Sequence, residues 1–255
     1  MAHLPNGKPE PALRKALVTG GTTGLGESIA LQLQADGYQV AVCGRRVDKL
    51  AAMQARGIQA IVCDVGDMDQ VSQMGRAVAG QWTQLDLLVN CAGVVLARSD
   101  FSEVSLADVE RVLRVNLLGT IAVTQVMQPL VIAAKGSIVN ISSTLAQRPR
   151  AGSVVYPASK GGVEAFSRAI AVELARHSVR VNCVAPGLVR SDIYLAAGMP
   201  AGAYDEMLRA RASEIPLKRV GEPVDVAGLV AYLGSEAASW MTGVCIPLDG
   251  GGMLR

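Results

Sequence analysis

Short runs rich in Val, Ile and Leu recur along this chain and alternate with longer stretches of helical periodicity. The runs fall at 16–19, 39–43, 59–63, 85–90, 137–141, 180–184 and 243–247, and most carry apolar residues at both odd and even positions. A strand of that kind must be covered on both faces, as in a parallel sheet between two layers of helix. Helical stretches occupy 24–36, 47–56, 68–81, 105–118, 119–134 and 157–176, with further helix before the last strand. This alternation predicts an α/β fold, a doubly wound parallel sheet with helices on both faces. At 255 residues, with no internal repeat and no low-complexity linker, 1–255 reads as a single domain with a large core. One segment, 191–219, interrupts the pattern between Pro186-Gly187 and Gly221-Glu222-Pro223. Its scattered apolar residues, among them Ile193, Tyr194, Met207 and Leu208, suit a substrate lid or a surface helix pair. Its place relative to the motifs below favours the lid.

Composition narrows the partners. Hydrophobic residues make up 50% of the chain, charged residues 18%, and the net charge is +2. No basic run is long enough for a nucleic-acid face, since Arg45-Arg46 and Arg148/Arg150 stand alone. No stretch reaches the roughly 18 uninterrupted apolar residues of a membrane span. The polar segment from Met1 to Lys15 lacks the apolar centre of a secretion signal, so a cytoplasmic location is expected. Cys43, Cys63, Cys91, Cys183 and Cys245 are odd in number and dispersed, and they read as small buried thiols in a reducing compartment, with no metal site.

The first strand runs into Thr19-Gly20-Gly21-Thr22-Thr23-Gly24-Leu25-Gly26, which opens the first helix. A glycine pattern alone is weak evidence; one set between strand and helix describes a dinucleotide site of Rossmann type. Gly20 allows the tight turn, Gly24 lets backbone approach a pyrophosphate, and Gly26 allows close helix packing. The helix start then offers free N–H groups to phosphate. The second strand ends in Cys43-Gly44-Arg45-Arg46, where an NAD site usually has a carboxylate for the ribose 2′-hydroxyl. A guanidinium there favours a 2′-phosphate by about 1.5–3 kcal/mol. NADP(H) is therefore expected through Arg45, with Arg46 secondary and NAD(H) the alternative. The turn itself carries Thr22 and Thr23 and no basic residue. Asp64-Val65 after the third strand and Asn90-Cys91-Ala92-Gly93 after the fourth are either adenine and ribose contacts or plain strand-end turns.

Tyr156 and Lys160 are four residues apart and share one face of a helix. Pro157 suits a first helical turn, which places Tyr156 at the helix entrance. An ammonium near a phenol favours the phenolate and lowers its pKa, fitting the tyrosine for proton transfer. The hydroxyl of Ser143, at the end of the fifth strand, suits a carbonyl oxygen. A lone Tyr-x-x-x-Lys is ordinarily a half-buried aromatic beside a solvated lysine; the glycine turn and the serine weigh against that reading.

Together these motifs resemble the short-chain dehydrogenase/reductase family, in its branch of about 250 residues, from Leu17 to Gly251. The resemblance implies hydride transfer between a nicotinamide cofactor and a carbonyl or secondary alcohol. It implies Asn116, Ser143, Tyr156 and Lys160 as the catalytic set, Asn116 holding a water that feeds the lysine. It implies cofactor contacts at Gly20, Thr22, Thr23, Gly24, Leu25, Gly26, Arg45, Arg46, Asp64, Val65, Asn90, Ala92, Gly93, Tyr156, Lys160, Pro186, Gly187, Val189 and Ser191. Cys91 departs from the family's second asparagine, and Ser191 from its usual threonine. A homo-oligomer, tetramer or dimer, follows from the same resemblance; the apolar 163–174 helix fits an interface or simple core burial equally. A sugar-nucleotide epimerase and a non-catalytic dinucleotide sensor are the alternatives; the first needs a larger substrate domain, the second usually lacks the tyrosine or lysine. Arg148, Arg150, Arg209 and Arg211 read as solvated, with an acidic or carrier-linked substrate as the other possibility. No long tail past Asp249-Gly250-Gly251 is expected to close the pocket.

Overall fold

The computed structural model describes residues 13–255, so most of the polar N-terminal stretch lies outside the described residues. Seven parallel strands form one sheet in the order β3-β2-β1-β4-β5-β6-β7. They are β1 (Lys15–Thr19), β2 (Gln39–Gly44), β3 (Gln59–Val62), β4 (Leu87–Asn90), β5 (Ser137–Ile141), β6 (Arg180–Pro186) and β7 (Cys245–Leu248). The expectation of two covered faces is met within β1 itself. Ala16 and Val18 point into one core with Ile29, Leu33, Leu50 and Val230, while Leu17 points into the other with Met74, Met127 and Leu174. All three β1 side chains are fully buried.

The first core is roofed by α1 (Gly24–Ala35), α2 (Val47–Gln54) and α9 (Pro223–Gly234), the second by α3 (Met68–Ala79), α5 (Gly119–Ala134) and α6 (Val155–Ala175). The order reverses between β1 and β4, so connections leave these neighbours toward opposite ends of the sheet and a crevice opens beyond their carboxyl ends.

The elements differ from expectation at their ends. The fourth strand starts at Leu87, because the Leu85 N–H is taken by the Leu130 carbonyl. The stretches 105–118 and 119–134 are one helix, Leu106–Ala134, in which α4 (Leu106–Leu113) passes through a π-helical turn, Arg114–Leu118, into α5. By length and composition that helix could cross a membrane, yet Val112, Asn116, Val123, Met127 and Val131 are built into the interior. α6 begins at Val155, which puts Tyr156 in its first turn. On α6 the apolar residues divide: Val163, Ala171 and Leu174 are core, while Val172 faces solvent. The 191–219 segment forms α7 (Ile193–Ala196) and α8 (Ala201–Glu214), packed on its own small cluster of Tyr204, Leu208, Ile215 and Val220.

The cysteines are free thiols. Cys43, near the end of β2, lies beside Cys63, which follows β3, and Cys183 and Cys245 stand in register on β6 and β7.

Gly26 shows how tightly α1 is seated. A Cβ there would lie 2.2 Å from the Gly20 carbonyl oxygen, a backbone atom that cannot turn aside. Gly26→Ala is expected to destabilise the protein by about 1–3 kcal/mol. Gly228→Ala, where the new methyl meets open space in the middle of α9, is expected to stabilise it by about 0.5–1 kcal/mol. Thermal denaturation of the two variants reads both signs.

Candidate active site

Two adjoining cavities open beyond the carboxyl ends of the strands. The larger, about 660 Å³, is lined by the glycine turn, Arg45, Arg46, Asp64, Val65 and the 91–97 segment. The smaller, about 390 Å³, is lined by Ser143, Tyr156, Lys160, the 186–191 segment and one side of α7 and α8. Leu25, Cys91, Gly93, Val95, Ser191 and Ile193 line both. Each volume falls within the range of small-molecule sites.

The larger cavity fits a dinucleotide. Gly20 and Gly24 have φ of +65° and +54°, so the turn needs glycine at both. A Cβ on Gly20 would also stand 2.9 Å from the Ala92 Cα. The N-cap of α1, Thr23, is extended and its side chain makes no cap hydrogen bond. The first N–H groups of α1 therefore face the cavity without a protein acceptor, an arrangement suited to a pyrophosphate. Thr19 fastens the opposite lip: its Oγ1 accepts from the Cys91 and Ala92 N–H groups at 3.0 and 3.1 Å.

Arg45 stands at the cavity rim, 63% exposed, with its guanidinium 3.5 Å from Asp64 Oδ2. Asp64 Oδ1 accepts the Gly66 N–H at 2.9 Å. Both Asp64 oxygens thus already serve the protein, although the side chain still lines the cavity. Asn90 does not line it. Its side chain is buried and turned the other way, donating to Thr124 Oγ1 at 3.0 Å and Asn140 Oδ1 at 2.8 Å. Asn140 continues the chain to Ser167 at 2.8 Å. Asn90 therefore ties β4 to β5 and α5, and the cavity wall is made by Cys91, Ala92 and Gly93. Cys91 sits in that wall close to Lys160; burial pushes its thiol up to about 11, with the Lys160 charge opposing.

In the smaller cavity, α6 brings Tyr156 and Lys160 to one wall, with the Lys160 Nζ 5.9 Å from the centre of the Tyr156 ring. Lys160 is 3% exposed and donates to the Ile141 carbonyl at 2.7 Å. Burial lowers its pKa. The phenol of Tyr156 is shifted up, by burial first and the neighbouring Tyr194 second, with a hydrogen bond from Ser143 pulling the other way. The lowering expected from the lysine is not found: desolvation raises the phenol, and Lys160 is not among the groups that shift it. Of the two serines, Ser142 is engaged with Glu164 at 2.9 Å and the Lys160 carbonyl at 3.3 Å, leaving Ser143 beside the phenol.

Asn116 lies in the π-turn, fully buried. Its Oδ1 accepts the Val94 N–H at 2.8 Å, and its Nδ2 donates to the Val94 carbonyl at 2.9 Å and to Ser159 Oγ at 3.0 Å. Ser159 in turn donates to the Tyr156 carbonyl at 2.7 Å. A Cβ on Gly93 would lie 3.5 Å from both Asn116 Oδ1 and Lys160 Nζ, so these three positions converge. Both amide donors of Asn116 are engaged, and only acceptor capacity remains for a water.

Several lining residues escaped the sequence reading. Val95 and Arg98 follow the fourth strand with no motif to mark them. The C-terminal turn also lines the smaller cavity, at Gly252, Met253 and Arg255, folded back by Asp249, which accepts from the Gly251 and Met253 N–H groups at 2.9 and 2.6 Å.

Comparison with known proteins places this geometry. The family described as enoyl-(acyl carrier protein) reductase matches residues 20–252. Nodulation protein G of Rhizobium sp. (strain N33) is 36% identical over 93% of this chain and 96% of its own. The 3-oxoacyl-acyl-carrier-protein reductase FabG of Staphylococcus aureus is 36% identical over 93% of this chain and 97% of its own. The aldohexose dehydrogenase of Thermoplasma acidophilum superposes with a TM-score of 0.87, 28% identity and 95% coverage of both chains.

Asn116→Ala would leave the part-buried Val94 N–H and carbonyl without their protein partners. The expected cost is about 1–3 kcal/mol for each group left so, together with lost hydrogen-exchange protection at the Val94 amide. Denaturant titration and exchange mass spectrometry of the 92–97 segment read the two effects.

Proposed function

The chain belongs to the short-chain dehydrogenase/reductase family, and from that premise we propose that it is an NADP(H)-dependent reductase interconverting a ketone and a secondary alcohol. Members of the family bind a nicotinamide cofactor and act on carbonyl or alcohol groups. The observation that carries the reading is the shared wall. Tyr156, Ser143 and Lys160 line one cavity, and that cavity adjoins another built on a glycine turn and an uncapped helix start.

A nicotinamide cofactor held in the larger cavity supplies the hydride. Gly20, Thr22, Thr23, Gly24, Leu25 and Gly26 hold its phosphates, Arg45 and Arg46 the 2′-phosphate, and Asp64, Val65, Ala92 and Gly93 the adenosine. Pro186, Gly187, Val189 and Ser191 hold the nicotinamide end. In the smaller cavity Ser143 holds the carbonyl oxygen and Tyr156 donates the proton to it. Lys160 keeps two N–H donors beyond the one given to Ile141, enough to hold a ribose hydroxyl and a water together. Asn116 fixes the loop that faces this ammonium and offers its remaining acceptor capacity to the water that resupplies the proton. The segment 191–219 acts as the substrate lid, since Ile193, Tyr194, Met207 and Arg211 form one wall of the cavity.

A 3-oxoacyl group is within the proposed range, supported by the FabG relative. A homo-oligomer, tetramer or dimer, and a cytoplasmic location belong to the same proposal. Val172 on α6, 80% exposed, and Trp240, 99% exposed, support contact with a second copy.

Oxidation of NADPH and NADH against ketones, 3-oxoacyl thioesters and keto-sugars tests the reading. Tyr156→Phe is expected to lose about 10²–10⁴-fold in turnover while still binding the cofactor; undiminished turnover would sink the assignment. The upward shift of the phenol gives the pH dependence its sign. Neutral phenol is the proton donor, so reduction should stay level through neutral pH and fall only toward the phenol's titration. Phenolate is the acceptor, so oxidation should climb with pH over the same range. Rates in both directions from about pH 6 to about pH 10 show it.

For the cofactor, Arg45→Asp is expected to shift the NADPH/NADH ratio of kcat/KM by about 10- to 100-fold toward NADH. An unchanged ratio would remove Arg45 from cofactor selection.

A further inference from the structure

The smaller cavity carries more positive charge than hydride and proton transfer use. Arg98 comes from the segment after β4, Arg150 from the segment after β5, and Arg211 from α8, and all three line the cavity. The first two segments are packed together: the Ser99 N–H donates to the Gly152 carbonyl at 3.3 Å, and a Cβ on Gly152 would lie 3.5 Å from the Arg98 Cβ. Among the described residues, neither Arg98 nor Arg150 forms an ion pair. Arg211 is paired with Glu214. The other carboxylate of this wall, Asp249, is occupied by the Gly251 and Met253 N–H groups.

Arg98 and Arg150 are solvent-exposed and Arg211 is partly so, and all three line one cavity. These converge from three elements, and the effect is registered on their neighbours. The Arg150 guanidinium is lowered by burial and then by Arg211, Arg98 and Arg148, with Glu214 opposing. The Tyr194 phenol, raised by burial, feels Arg98, Arg150 and Arg211 pulling it back down. Tyr194 in turn acts on Tyr156. Arg98, Arg150, Arg211, Tyr194 and Tyr156 all line this one cavity. The same cavity also has an apolar lining, with Leu145, Leu188, Met207 and Ile215.

We propose that the substrate is a ketone carrying an anionic group, carboxylate or phosphate, beyond an apolar segment, and that Arg98, Arg150 and Arg211 bind that anion. The proposal rests on the reductase reading and gives that same site its substrate class. Guanidinium groups suit either anion because their forked N–H donors match two of its oxygens at once. Convergence of three arginines with one paired carboxylate leaves net positive charge for the ligand to neutralise. Arg209, on the same helix as Arg211, does not line the cavity and has no part in it.

The test uses two substrate pairs that differ in charge alone. One is a medium-chain oxo acid against its methyl ester. The other is a 3-oxoacyl-4′-phosphopantetheine against the same acyl group on pantetheine, which lacks only the phosphate. Wild-type protein is expected to prefer the anionic member of one pair by about 10- to 100-fold in kcat/KM, mostly through KM. Preference in the first pair names a carboxylate, preference in the second a phosphate. Arg98→Gln with Arg150→Gln should bring that ratio close to unity. Equal rates within both pairs, or a preference that survives in the double variant, would overturn the proposal. If no compound is turned over, the reductase reading has failed, and calorimetric titration with the oxo acid and its ester decides the anion site by itself. Binding of the acid that persists in Tyr156→Phe and disappears in the double arginine variant supports it; equal binding of acid and ester overturns it.

Discussion

The reversal of strand order between β1 and β4 is the constraint on which the rest of this molecule depends. Adjacent parallel strands whose connections depart toward opposite ends leave their carboxyl termini uncovered. The exposed backbone there must find partners, and the residues at the split supply them. Thr19 Oγ1 takes two N–H groups from the β4 side, and Gly20, close against Ala92, lets the two lips approach. With the lips joined, the start of α1 is aimed into the crevice with no acceptor of its own. Folding produces an anion site at that point because of where the chain must turn.

The second site stands on a buried charge, which is expensive to hold. Lys160 is desolvated, and its ammonium has one fixed acceptor, the Ile141 carbonyl at the end of β5. A buried cation with one partner is tolerated when its remaining donors have work, and Lys160 lines the smaller cavity beside Gly93. The surroundings are correspondingly rigid. The Asn116 amide, both of whose donors are engaged, connects the Val94 loop to Ser159 and through it to the first turn of α6. The π-turn at Arg114–Leu118 is what swings Asn116 to that point on an otherwise regular helix, in keeping with the frequent placement of such turns at working sites.

The sheet was legible from sequence because a strand buried on both faces leaves no polar alternation to misread; Leu17 and Val18, in opposite cores, are that signal made physical. The glycine turn was legible because positive φ and close approach leave glycine as the only residue that fits. Tyr156 and Lys160 were legible because helical spacing alone places them together. What escaped has no local cause. Asn90 ends an apolar strand beside a turn, and nothing in its neighbours tells that it looks toward Thr124, across the sheet from the cavity. The π-turn has no composition signature. Arg98, Arg150 and Arg211 are scattered along the chain, and only the packing of the Ser99 and Gly152 backbones brings the first two together. The phenol's shift was misjudged in sign because the i, i+4 spacing reveals a neighbour but not the dryness of the place where the two meet.

That dryness also explains why binding charge and reacting proton are kept apart. An arginine beside Tyr156 would favour the phenolate and weaken the proton donor that reduction needs. Tyr194, half-buried, lines the same cavity, its own phenol pulled in opposite directions by desolvation and by Arg98, Arg150 and Arg211. No arginine acts on Tyr156 to the extent that Tyr194, Ser143 and Cys91 do. An anion bound at the guanidinium groups, as proposed, would therefore change the field at Tyr194. The acidity of Tyr156 is set first by burial, then by Tyr194 and Ser143, so an anion bound at the guanidinium groups would reach this phenol only through its neighbour Tyr194.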